Sequence, residues 1–395
     1  MIEAAALIGL GVLTGAATGV IPGIHPNTVI FSVLPFYFIL NPDFMSFMAF
    51  ISGLGVSHSL HDFLPALFLK TPEAESALSS LPGVKMVEQG LGRKAFILTL
   101  IGGLSSTVIF ILSLPLIFTG LKTVYGLLEE GMFFVLVFFL VFILLESEST
   151  LHASIVASLS GVLGLLTLNS GIEQQFILMP VFSGLFAVPA VIYSFQRGFE
   201  IPEQKQSFRI RLSRLKDGST GFLAGFLAGI VPGIGAAVST TFLTPLMEGD
   251  KESFLTGLGG VNTSDILISF LALHLIGRPR TGSSVALQSI SQVRLPDVMF
   301  LTGCSILATG ISGIIALKNL DFFLKAVRKI EFRFIGSAAI ATVLIAAYFT
   351  TGLYGLLVLS TSSFIGTLAL LKNCRASSMA ILIVPALTYF SGSFI

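Results

Sequence analysis

"GAATGVIPGIHPN", Gly15 to Asn27, interrupts an apolar run with Pro-Gly, then a histidine, a second proline and an asparagine. Proline removes a backbone donor and clashes with the preceding turn, while glycine admits conformations that leave a helix. The pair predicts a helix break inside a membrane-sized segment. "GFLAGIVPGIGAA", Gly225 to Ala237, repeats the pattern Gly-x-x-x-Gly-x-x-Pro-Gly-Ile, and Pro232 follows Pro22 by 232 − 22 = 210 residues. Non-helical backbone at membrane depth persists only where it is buried in protein or lines a wet cavity. A helix restarting there points free N–H groups and a positive dipole end into the cavity, which attracts anions. The competing reading takes Gly15/Gly19 and Gly225/Gly229 as small-residue faces for helix packing. Both can hold at once.

The rest of the chain fits a membrane protein. Hydrophobic residues make up 54% of the 395 and charged ones 11%, with a mean hydropathy of +0.94. Apolar runs recur from residues 3–21 to 378–395, long enough for helices that satisfy their own backbone in lipid. The short alternating segments of a β-barrel are absent. The expected class is therefore all-α and polytopic. A net charge of +1, with no basic tract interleaved with aromatics, gives no sign of nucleic-acid binding. Cys304 and Cys374 are the only cysteines, too few for a disulfide framework or thiolate cluster. "MIEAAALIGLGVLTG" lacks a basic leader and is read as a retained first segment.

Charge location orients the chain. The polar segment between the boxes carries Arg197, Lys205, Arg209, Arg211, Arg214 and Lys216, so it is expected inside the cell. Lys85, Arg93 and Lys94, and Lys318 to Arg333, are expected on the same side. The acidic turn "ESEST", with Glu146 and Glu148, is expected outside. The chain divides into a first membrane repeat, 1–197, a basic cytoplasmic linker, 198–216, and a second repeat, 217–395. Further matches run in order: Pro35 with Pro245, "GLGVSHSLHD" (Gly53 to Asp62) with "GLGGVNTSD" (Gly257 to Asp265), and "LKTP" (Leu69 to Pro72) with "GRP" (Gly277 to Pro279). Such duplication, with Gly/Pro-broken segments at corresponding places, marks a transporter site between inverted repeats.

Candidate site residues follow from cost. Ionisable side chains within a span face an interior, a partner or an ion path. His58, His61 and Asp62 cluster beside Lys70, Thr71 and Glu73. His58-x-x-His61 has a spacing that metals use, without a third ligand or a zincin glutamate. The rival readings are a structural histidine pair or a substrate or proton role. Lys70 either binds an anion or snorkels to the interface. Asn262, Thr263, Ser264 and Asp265 offer oxygens to a cation such as sodium beside an unwound helix; an N-cap explains the same run. Arg278 suits a carboxylate or phosphate, or anchors an interface. No Walker-A loop, dinucleotide fingerprint or nucleophile elbow occurs.

These residues resemble the large membrane subunit of the tripartite tricarboxylate transporters, the TctA family, and its stand-alone archaeal members. The boxes "IPGIHPN" and "VPGIGAA", the turn "LKTPEA" and the stretch "LPGVKMVEQGLGRKA" (Leu81 to Ala95) carry the likeness. Departures are His25-Pro26 where the family has Gly-Pro, Lys70 for Asn and Glu73 for Gly. The resemblance implies a cation- or proton-coupled secondary transporter of small carboxylates, with inverted repeats meeting at a midplane site. It also implies a small membrane subunit and an extracytoplasmic binding protein as separate chains.

The expectation is thus a multi-pass protein of the cell membrane that takes up a small organic anion and is not an enzyme. It needs no cofactor beyond Na+ or H+ for coupling; self-association stays open. The substrate site is expected at Pro22, Gly23, His25, Asn27, His58, His61, Asp62, Lys70, Thr71, Pro232, Gly233, Asn262, Thr263 and Arg278, with Asn262, Ser264 and Asp265 for the coupling ion. The alternatives are a flippase for a lipid-linked phosphate and an intramembrane metal enzyme using His58, His61 and Asp62.

Overall fold

Helices account for the ordered secondary structure of the described residues, with no strand among them. The computed structural model describes residues 2–21, 26–69, 80–197, 201–211, 214–231, 235–236, 239–240, 250–277, 279, 281–329 and 331–392. Among the described residues six helical stretches are long and apolar enough to cross a membrane: Gly92–Glu130, Thr150–Leu168, Phe176–Tyr193, Lys251–Leu275, Leu295–Lys329 and Gly336–Leu371. Large apolar side chains such as Leu112, Phe134, Phe349 and Phe364 point outward, as a surface solvated by lipid requires.

Two helix pairs organise the core. In the first half α1 (Ile2–Gly19) lies on α3 (Phe44–His61), and in the second α11 (Arg214–Ile230) lies on α12 (Lys251–Leu275). Both contacts run through glycine. A β-carbon on Gly15 would stand 2.8 Å from the His58 nitrogen, and one on Gly225 would stand 2.9 Å from the Asp265 nitrogen. Backbones that approach this closely exclude any side chain. The packing reading of the Gly-x-x-x-Gly faces is therefore correct. Helix α1 ends at Gly19 and α2 (Pro26–Leu40) begins at Pro26, while α11 ends at Ile230. The Pro-Gly boxes themselves lie outside the described residues.

These contacts also correct the register of the repeat. Gly15 faces Leu54, Ser57 and His58, whereas Gly225 faces Val261, Ser264 and Asp265. His58 thus corresponds to Asp265. By the same offset His61 corresponds to Ile268 and Asp62 to Ser269. The sequence match of Asp62 with Asp265 followed the glycine-rich wording, but packing fixes the pairing four residues further on.

The pairs run in opposite directions. Ala4, Ile8 and Ala49 cluster with Cys304, near the start of α14 (Leu295–Lys329). Phe68, in the short helix α4 (Phe63–Phe68), meets Phe323 toward its other end. Those two levels on α14 are about 28 Å apart at 1.5 Å per residue. Helix α12 instead starts at the Phe323 end, because Glu252 there meets Lys94 at 2.5 Å and Arg93 pairs with Asp321. Arg93 and Lys94 open α6 (Gly92–Glu130), so the basic clusters gather at one end as expected. The linker is tied to that end too: the Gln204 side chain accepts from Gly92 N at 2.6 Å and donates to Val87 O at 3.1 Å. Helix α11 takes in Arg214 and Lys216 from the linker.

The acidic turn sits at this same end, contrary to expectation. The long helix α15 (Phe332–Leu371) starts just after α14 and kinks at Gly352, where φ is 65°. Beyond the kink Tyr354 reaches Leu166 at the end of α8 (Thr150–Leu168), and Asn373 reaches Glu148 before its start. The chain after Gly352 therefore returns to the basic end, bringing Glu148 with it. Acidic residues contribute little to membrane orientation, which is why the turn misled.

Candidate functional site

The two polar runs meet at one level. A β-carbon on Gly103 of α6 would lie 2.6 Å from the Thr263 hydroxyl and 3.3 Å from Leu60. Gly103 is ten residues past Arg93, about 15 Å into the bundle. Near that level α3 carries His58, His61 and Asp62, all buried, and α12 carries buried Asn262 and Thr263 with half-buried Asp265. Ionisable groups at such depth demand local partners.

Helix α1 orients the first of them. The Thr18 hydroxyl donates to Thr14 O at 2.8 Å and lies 3.0 Å from His58 Nδ1. His61 Nδ1 lies 2.8 Å from Ser57 O. A carbonyl only accepts, so Nδ1 carries the proton and Nε2 of the neutral ring is an acceptor. His61 Nε2 and both polar atoms of the Asn262 amide are buried with no hydrogen-bond partner among the described residues.

Asn262 to Asp265 lie within one unbroken helix, so neither an unwound segment nor an N-cap holds there. Asp250 is the cap of α12, accepting from Glu252 N at 3.0 Å. At 100° per residue Asn262 and Asp265 share a face and Ser264 points away. Its hydroxyl donates to Gly260 O at 2.6 Å and packs against Gly225. Thr263 is likewise bonded back to Gly259 O at 3.1 Å. Local backbone carbonyls take the proton of both hydroxyls, and Ser264 packs against α11 instead of sharing the face of Asn262 and Asp265.

A hydroxyl cluster that the sequence reading missed adjoins the site. Ser269 on α12, the counterpart of Asp62, accepts from Thr281 N at 3.0 Å and lies 2.9 Å from Ser284. Thr281 caps α13 (Gly282–Ile290), and Ser283 beside it would contact a β-carbon on Gly55 of α3 at 2.9 Å. The start of α13 thus faces α3. Its sequence signal was Thr-Gly-Ser-Ser ahead of an apolar run, a helix-start pattern.

Pro22, Gly23, His25, Lys70, Thr71, Pro232, Gly233 and Arg278 lie outside the described residues, as does the side chain of Asn27, whose backbone is in α2. Among the described residues no three His, Cys, Asp or Glu side chains gather where a metal could bind.

The tripartite tricarboxylate transporter TctA family matches residues 6–381. The uncharacterized protein MJ1079 of Methanocaldococcus jannaschii is 29% identical over 397 residues, covering 96% of this chain and 97% of its own length. No solved structure matches. A multi-pass helical bundle matched along almost its whole length, the chain belongs to the tripartite tricarboxylate transporter TctA family and is a component of tricarboxylate transport.

Proposed function

We propose that this chain is the permease itself, carrying a small di- or tricarboxylate across the cell membrane in symport with Na+ or H+. The observation that carries the reading is the meeting of the two polar runs at Gly103, with His61 Nε2 and the Asn262 amide buried and unpartnered. An unsatisfied buried polar group costs roughly 1–3 kcal/mol, a cost that a bound ligand offsets. Asn262 donates to a carboxylate, His58 does so once its Nε2 is also protonated, and Asp265 and Asp62 balance the coupling cation. The halves act as inverted copies, a reading supported by the opposite runs of α3 and α12. Pro22-Gly23 and Pro232-Gly233, with His25, Asn27, Lys70, Thr71 and Arg278, are the residues assigned by sequence to the rest of the anion site. A small membrane subunit and an extracytoplasmic binding protein deliver the substrate.

A thermal-shift screen of the purified protein tests the reading. Di- and tricarboxylates, inorganic phosphate and polyprenyl phosphates are each added with and without sodium. A carboxylate shift that Asn262→Ala abolishes supports the reading. A shift with polyprenyl phosphate alone assigns the cavity to a lipid-linked cargo instead.

A further inference from the structure

Among the described residues Arg375 is the one lysine or arginine that is buried. It lies far in sequence from the site at Gly103 and plays no part in the transport reading. It opens the helical stretch Arg375–Ser391, which begins as a tight 3-10 turn (Arg375–Met379) and continues as α16 (Ala380–Ser391). One guanidinium nitrogen donates to Phe186 O at 3.1 Å, and the guanidinium carbon stands 6.0 Å from the Phe186 ring centre. Phe186 belongs to a five-residue π-helical stretch, Ser183–Ala187, and such stretches recur at functional sites.

Arg375 meets Phe186 inside the helical bundle. Leu185, next to Phe186, abuts Gly366 of α15. Gly366 is five residues, about 7 Å, inside the end of that helix. The α16 contacts of Ile381 with Gly164 and Val384 with Gly161 run antiparallel to α8, as does the second stretch of α15. The chain between Leu371 and Ala380 therefore doubles back beside α8.

Charge and hydrogen bonding at this turn both favour an anion. A helix start carries the positive end of the dipole, where a cation is disfavoured and an anion welcome. Ser377 and Ser378 in the same turn are fully buried, and neither hydroxyl has a hydrogen-bond partner among the described residues. Deeper in their helices Ser305 and Thr367 bond back to Leu301 O and Ser363 O at 2.8 and 2.7 Å, whereas the buried hydroxyls of Ser160, Ser312 and Ser362 have no such partner among the described residues. In the first turn Ser377 and Ser378 have no carbonyl of a preceding helical turn to bond, which leaves both hydroxyls as donors.

We propose that Arg375, Ser377 and Ser378 form a second, buried oxyanion site, separate from the transport site. It takes a carboxylate or phosphate group, supplied either by the transported acid or by the head group of an anionic lipid.

The test uses the full-length protein, with Asn262→Ala as the background that removes the transport site. Thermal shifts are recorded with succinate, citrate, inorganic phosphate and phosphatidylglycerol-doped micelles. A shift that survives Asn262→Ala and is lost on adding Ser377→Ala/Ser378→Ala supports the site; the soluble acids or the lipid identify its source. Removing idle buried hydroxyls does not lower the unliganded midpoint, so misfolding is separable from lost binding. No shift with any probe, or a shift kept by the serine variant, overturns the proposal. Loss of the carboxylate shift in Asn262→Ala alone assigns that shift to the transport site and excludes the transported acid as the occupant of the Arg375 site.

Discussion

His58 and Asp265 hold the same place in the two halves, each with its backbone N–H against a glycine of the partner helix, Gly15 and Gly225. One half offers an imidazole at that position and the other a carboxylate. The two helix pairs share this backbone packing and differ in charge at the matching position.

That packing predicts a sharp contrast among glycines. Gly15→Ala and Gly225→Ala each insert a carbon against backbone and are expected to lower stability by about 1–3 kcal/mol. Gly9 and Gly303 have nothing within 4 Å of a β-carbon, so alanine there is neutral or gains up to about 1 kcal/mol. Unfolding midpoints in detergent decide this, and equal effects at all four positions would refute the close-packed pairs.

The Thr18 contact predicts a functional effect with little structural cost. Thr18→Val removes a hydrogen bond worth about 1 kcal/mol, equivalent to about fivefold in affinity. Carboxylate binding by titration calorimetry is expected to weaken by about that factor, while Thr14→Val leaves it unchanged. Equal binding by both variants would remove His58 orientation from the account.

Asp250 ties stability to acid pH. Burial pushes its carboxyl up, but the Glu252 N–H and the Arg214 guanidinium at 2.5 Å more than offset this, so its pKa is lowered. A folded pKa below the unfolded one stabilises fully above about pH 4 and is lost as pH falls through the folded value. Wild type and Asp250→Asn should therefore differ in melting temperature at pH 7 and converge below about pH 4. A constant gap down to pH 3 would contradict the linkage.

Gln204 predicts where the linker opens. Its side chain bonds Gly92, Val87 and Pro202, so Gln204→Ala frees the segment from the α5–α6 turn, α5 being Ser80–Glu88. Trypsin is expected to cut faster at Lys205, Arg209 and Arg211, with uptake unaffected. An unchanged cleavage rate would mean that other contacts hold the linker.

Much of this was readable from sequence, for identifiable reasons. Hydropathy fixed the helical class, because lipid leaves the backbone few options. The Gly-x-x-x-Gly faces announced close helix packing at α1 and α11, but not that each packs on a helix of its own half. What escaped was set by tertiary contact. The register of His58 with Asp265 depends on which carbonyl each glycine touches, and the convergence of Leu60 with Thr263 depends on Gly103 in a third helix. Arg375 gave no signal in the sequence, because neither hydropathy nor spacing reveals that the chain doubles back there. Asn262 to Asp265 resembled a cap because short polar residues favour caps, yet in the bundle two of them bond back to their own helix.

The central claim is tested most directly by uptake of radiolabelled citrate and succinate into proteoliposomes, comparing wild type with Asn262→Ala. The amide has no hydrogen-bond partner among the described residues, so its removal leaves the fold intact. The account predicts saturable uptake by wild type and a loss of about tenfold or more in the variant, the equivalent of about 1.4 kcal/mol. Uptake by folded Asn262→Ala equal to wild type would contradict it.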